Sequence, residues 1–127
     1  MMRIFLDSNI LVYLLATLSP YHRATVTTVQ RLTNQGVLLA IAPQSIYEFW
    51  VAATRPTSDG GLGYDPATAR SQIHRFVQRF RLLDDSILAW SDVIDLAVTE
   101  GVLGRRIHDA RLVALMRVSS PSCAFTA

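Results

Sequence analysis

Between Gly36 and Pro43 runs an unbroken apolar segment, Val37-Leu38-Leu39-Ala40-Ile41-Ala42, and it restricts this chain more than any other feature. A strand with one wet face alternates apolar and polar residues. A run without alternation needs apolar cover on both faces, the condition of an interior strand in a parallel sheet. Crossover helices supply that cover, so helical patterns are expected on either side of the run. Residues 8–17 read as a helix closed by Ser19-Pro20, and a second helix spans about 21–34, with Gly36 ending it as a C-cap would. Pro43, tolerated in a first turn, opens a third helix. Within it Ile46, Phe49, Trp50 and Ala53 follow the helical apolar spacing and are expected to pack on the sheet.

The same alternation continues to both ends. Residues 2–6 form a first strand that stops at Asp7, and residues 55–63, rich in turn formers, make the one long loop. A helix over 66–79, a strand over 80–84, a helix over 86–100 and, after Gly101 and Gly104, a helix over 105–118 follow. Only Cys123-Ala124-Phe125-Thr126 remains for a final strand. The expected fold is α/β, one domain over residues 1–127, with a central, mainly parallel sheet between helical layers and right-handed crossovers.

Composition narrows the function classes. With 127 residues, 50% of them hydrophobic, the chain has material for a single core. The longest apolar stretch, residues 10–16, is too short to span a bilayer, and the first residues lack the zones of a secretory signal. A lone cysteine, Cys123, excludes an internal disulfide and a cysteine-rich zinc site. These features read as a cytoplasmic protein with no membrane contact. The net charge is +2, and all 12 basic residues are arginine. Arginine's planar fork suits phosphate, but a nucleotide bias in the source genome accounts for the same composition. The mild positive balance permits a nucleic-acid partner without requiring one.

Three carboxylates stand where chemistry is expected. Asp7 ends the first strand, and in open α/β sheets the ligand crevice lies beyond the carboxyl ends of the strands. Asp is equally a favoured N-cap, so capping and chemistry both explain it. Glu48 falls off the apolar stripe of its helix near the start, and after Asp109 the helix is nearly all apolar through Met116, which puts this acid at the expected edge of the core. An acid there needs a partner. Arg105 or Arg106, one turn away, would serve; a shared Mg²⁺ or Mn²⁺, which favours carboxylate oxygens, would serve differently.

Taken together, Leu6-Asp7-Ser8-Asn9, Pro43-Gln44-Ser45-Ile46-Tyr47-Glu48-Phe49-Trp50 with Thr54-Arg55-Pro56, and Gly104-Arg105-Arg106-Ile107-His108-Asp109-Ala110-Arg111-Leu112-Val113-Ala114 resemble PIN-domain proteins in order and spacing. These are familiar as the VapC-type toxin ribonucleases of toxin–antitoxin pairs. The resemblance covers residues 4–116, leaving an atypical tail over 117–127. It implies a three-layer α/β/α fold and a metal-dependent endoribonuclease that cleaves RNA phosphodiester bonds with Mg²⁺ or Mn²⁺, leaving a 5′-phosphate and a 3′-hydroxyl. Asp7, Glu48 and Asp109 would be the metal-binding acids, and Ser8 would orient Asp7 or a bound water. Asn9 would hold the strand-to-helix turn.

Arg55, Arg105, Arg106 and Arg111 are candidates for RNA phosphate contacts, since backbone charge supplies most nucleic-acid affinity. His108, a neighbour of Asp109, is read as a structural or helix-surface residue. Tyr13, Tyr47, Trp50 and Trp90 could stack on bases, but helical spacing favours core packing for them. Leu14 and Leu15 suggest a surface covered by a second copy or an antitoxin segment. The partners implied are an RNA substrate, a cognate antitoxin and a homodimer mate.

The chain departs from the family after the third motif. Members continue through a Thr-x-Asn turn to a further Asp, whereas no carboxylate follows Asp109. The expectation is a shortened sheet edge and a three-acid cluster with weakened metal affinity. Asp92 and Asp95 are read as solvated residues of the fifth helix rather than substitutes. A catalytically inactive PIN-like protein that binds antitoxin is the main alternative, and a DNA-directed nuclease of the flap-cutting kind is a third reading.

Overall fold

A computed structural model describes residues 2–84 and 90–119. It is mixed α/β. The described elements run β1 (Arg3–Phe5), α1 (Ser8–Leu15), α2 (His22–Asn34), β2 (Leu38–Ile41), α3 (Pro43–Thr54), α4 (Pro66–Arg79), β3 (Arg81–Leu82), α5 (Trp90–Glu100) and α6 (Ile107–Ser119), with 3₁₀ turns at Thr57–Asp59 and Gly104–Arg106. The expected final strand over residues 123–126, the start of the fifth helix before residue 90 and most of the atypical tail lie outside the described residues.

The strands pair in parallel in the order β1-β2-β3, with Phe5 opposite Ala40 and Ala40 opposite Arg81. The strands are shorter than their apolar runs, but ladder bonds extend past the ends: Leu6 N–H donates to the Ala40 carbonyl at 2.8 Å and Leu83 N–H to the Ile41 carbonyl at 2.8 Å. The unbroken run at 37–42 does what its composition requires. Leu39 and Ile41 join one buried cluster with Leu11, Val29, Phe49, Ala53, Ala69 and Phe76 from α1 to α4. Ala40 and Ala42 point the other way, into a second cluster with Phe5, Leu83, Leu115 and Met116, the last two from α6. A period of two along the strand thus sends alternate side chains to two separate apolar layers.

Local signals fix the helix ends. Pro43 stands in the first turn of α3, and Gly36, just beyond α2, takes φ +77°, the left-handed conformation that a C-terminal glycine accommodates. In the loop after α3, a Cβ built on Gly61 would collide with the Arg55 carbonyl oxygen, so only glycine fits this close approach. Leu62 and Tyr64 N–H groups donate to the Ala52 and Ala53 carbonyls, folding the loop back onto its helix.

Several aromatic residues depart from the core positions expected of them. On α3 the inward line is Ser45, Phe49 and Ala53, all buried, and Trp50, a further 100° around the helix, is left 37% exposed beside α4. Tyr47 is 71% exposed and Trp90 79% exposed. Tyr13 is half-buried, its ring 5.1 Å from that of Tyr21. Leu14 and Leu15 pack partly buried against the chain's own main cluster. Among the described residues no helix is long and apolar enough to cross a membrane.

Candidate metal centre

Parallel pairing of β1 with β2 brings the two following helices to one end of the sheet. The register Phe5 to Ala40 carries on to set Asp7 level with Ala42, the residues that cap α1 and α3, and the buried Ser45 hydroxyl reaches the Leu6 carbonyl at 3.5 Å, holding the first turn of α3 beside the end of β1. Asp7 there is the N-cap of α1, extended at φ −71°, ψ 158°. Its Oδ1 accepts from its neighbour Ser8 N–H at 2.6 Å. The two readings of Asp7 therefore coexist: the residue that caps the helix is still exposed, with its carboxylate at the carboxyl end of β1.

Ser8 is the junction. Its hydroxyl is buried between two carboxylates, 3.2 Å from Asp7 Oδ1 and 3.0 Å from Glu48 Oε2. One hydroxyl carries one proton, so it donates to one carboxylate at a time while standing within reach of both. Glu48, exposed on α3, is held from its other oxygen as well: Gln44 Nε2, one helical turn earlier, donates to Glu48 Oε1 at 2.9 Å. Gln44 Oε1 in turn accepts from an Arg111 guanidinium nitrogen at 3.1 Å. The amide is thus oriented with its oxygen toward the cation and its nitrogen toward the anion, linking α6 to the carboxylates through α3.

The third acid is placed differently. Asp109 lies exposed on the first turn of α6, and the α6 side chains that line a groove of about 360 Å³ with Gln44, Tyr47 and Glu48 are His108 and Arg111. Residues 108 and 111 are three apart and share a helix face; residue 109 is turned by 100° from His108. Among the described residues, no group of three or more His, Cys, Asp and Glu side chains is arranged to hold a metal ion. Arg55, Arg105 and Arg106 are exposed, in the loop after α3 and in the turn before α6. Asp92 and Asp95 are exposed on α5.

Gln44 had no role at the level of sequence, although its four-residue spacing from Glu48 was a legible signal. His108, read from sequence as a structural or helix-surface residue, is exposed on α6 and lines the groove, a place that depends on how α6 is rotated against α3. Neither a protein-family model nor a curated protein matches this chain.

Chemically, the arrangement offers two exposed, acceptor-only carboxylates bridged by a hydroxyl. Mg²⁺ commonly takes one or two protein carboxylates and completes its octahedron with water and substrate phosphate oxygens, and Asp7 with Glu48 fits that requirement. Both Glu48 oxygens and Asp7 Oδ1 already carry hydrogen bonds, but an ionised carboxylate has about four lone-pair sites, so each acid keeps some to offer a cation.

Proposed function

We propose that this chain is a metal-dependent endoribonuclease of the PIN type, the toxin component of a toxin–antitoxin pair, acting in the cytoplasm. The observation that carries the reading is the convergence of Asp7 and Glu48 on Ser8 at the carboxyl end of adjacent parallel strands. Motif order supports the same assignment, with a three-layer PIN-like fold and Asp109 as the third acid by resemblance.

In this reading Asp7 and Glu48 hold Mg²⁺ or Mn²⁺, and Ser8 Oγ keeps their carboxylates at a fixed separation. The bound cation supplies Lewis acidity at a phosphoryl oxygen and lowers the pKa of a coordinated water. Gln44 orients Glu48. Arg111, tied to Gln44, contributes positive charge to the groove where an RNA phosphate would lie, with Arg55, Arg105 and Arg106 as more distant phosphate contacts. On α5, Trp90, Ile94 and Val98 recur every four residues on one face and are all exposed, a stripe that supports a protein partner, either a second copy or the antitoxin.

The deciding experiment is RNA cleavage in Mn²⁺ by the wild-type chain and by Asp7→Asn. Cleavage is expected from the wild type and is lost in the variant. Equal background from both overturns catalysis and leaves the antitoxin-binding, inactive reading; preference for single-stranded DNA over RNA in the same assay overturns the substrate class.

A further inference from the structure

We propose that Tyr47 is a base-stacking platform, and that the groove it forms with His108 and Arg111 grips an unpaired nucleotide next to the phosphate bound at Asp7 and Glu48. This inference rests on the nuclease reading and names the residue through which a single strand would be selected.

The argument begins with exposure. Tyr47 adjoins Glu48 on α3 and is 71% exposed, while Phe49 on the same helix is fully buried and takes the aromatic place in the core. Phe49 makes an edge-to-face contact with Phe76, and none of the ring contacts among the described residues involves Tyr47. A tyrosine so exposed keeps a large apolar ring in water, an arrangement that a stacked base relieves. Its neighbours in the same groove of about 360 Å³, Gln44, Glu48, His108 and Arg111, carry polar or charged heads on apolar stems. Arg111 offers charge to a phosphate, and Gln44 and His108 offer hydrogen bonds to a base edge or sugar. An aromatic face beside a guanidinium is the combination by which proteins hold single strands. A duplex keeps its bases stacked on one another and presents no free face to the ring.

Affinity for a fluorescein-labelled single-stranded oligoribonucleotide, with Ca²⁺ in place of Mg²⁺ so that the strand is bound without turnover, followed by fluorescence anisotropy, tests this directly. Tyr47→Ala should weaken binding about tenfold, the loss of one stacked base. Tyr47→Phe should retain wild-type affinity, and Tyr47→Leu, of similar apolar bulk without a π face, should not. The salt dependence of binding should be unchanged in Tyr47→Ala and shallower in Arg111→Gln. Wild-type-like affinity in Tyr47→Ala, with the oligonucleotide still bound, overturns the stacking role and spares the nuclease reading. Absence of binding by the wild-type chain overturns both. A change of sedimentation in Tyr47→Ala with unchanged oligonucleotide affinity also overturns stacking and assigns the ring to a protein contact. Far-UV circular dichroism identical to wild type confirms that each variant is folded.

Discussion

Ser8 and Glu48, separated by 40 positions, share a hydrogen bond of 3.0 Å between Ser8 Oγ and Glu48 Oε2. The bond links the first turn of α1 to the middle of α3, and it sets two carboxylates around one small donor.

Replacing Ser8 by alanine should therefore destabilise the fold at neutral pH by roughly 1 kcal/mol, the net loss of a hydrogen bond to a charged acceptor in a partly wet site. Urea denaturation measures it. The cost of Ser8→Ala should be smaller in a Glu48→Leu background, where Asp7 is the one carboxylate of the pair left to the hydroxyl.

Divalent cation binding should raise the thermal midpoint of the wild-type chain, since a ligand that binds only the folded state stabilises it by mass action. With Mn²⁺ in differential scanning fluorimetry, the upward shift is expected to vanish in Asp7→Asn and in Glu48→Gln. Asp109→Asn should retain part of it, because the Asp109 side chain is not among those lining the groove with Glu48. Complete loss in Asp109→Asn would instead place that residue among the ligands.

Phe49 is fully buried and stands 5.1 Å from Phe76 at an interplanar angle of 89°. Phe49→Ala should cost about 3–5 kcal/mol, combining lost transfer energy with the cavity left in the cluster that joins α3 to α4. The urea midpoint falls accordingly. Phe49→Leu, which refills most of the volume, should cost much less.

Asp65, the N-cap of α4, has its carboxyl held below the ordinary range by hydrogen bonds from Thr68, the side-chain bond first and the backbone N–H second. Because the folded value is depressed, the stabilisation is present above the unfolded carboxylate's pKa and is lost as pH falls through the folded value. Asp65→Ala should lower the thermal midpoint by a few degrees at pH 7, and the difference from wild type should shrink in strong acid.

Much of the site's skeleton was legible because it rests on local chemistry. Asp7 after an apolar strand and before a helical pattern, and Pro43 after another, fix where two strands stop and two helices begin. Parallel pairing then leaves little freedom over which ends meet, and Asp7 and Glu48 converge. His108 and Asp109 show where that reasoning stops. Helix α6 buries Ala110, Ala114, Leu115 and Met116, which lie around more than one side, so its apolar pattern does not define a single inward face. Which of two adjacent side chains meets α3 is then set by the packing of Leu115 and Met116 beneath the sheet.

What the amino-acid order determined by itself was the succession of strands and helices, the two-sided burial of residues 37–42 and the position of carboxylates at strand ends, all consequences of short-range periodicity and backbone stereochemistry. Only the tertiary structure decided that Ser8 bridges Asp7 to Glu48, that Gln44 couples Glu48 to Arg111 and that Tyr47, Trp50 and Trp90 are exposed in different degrees. The physical reason is that a helix's rotation about its own axis depends on the shape of the side chains it meets, and those come from distant parts of the chain.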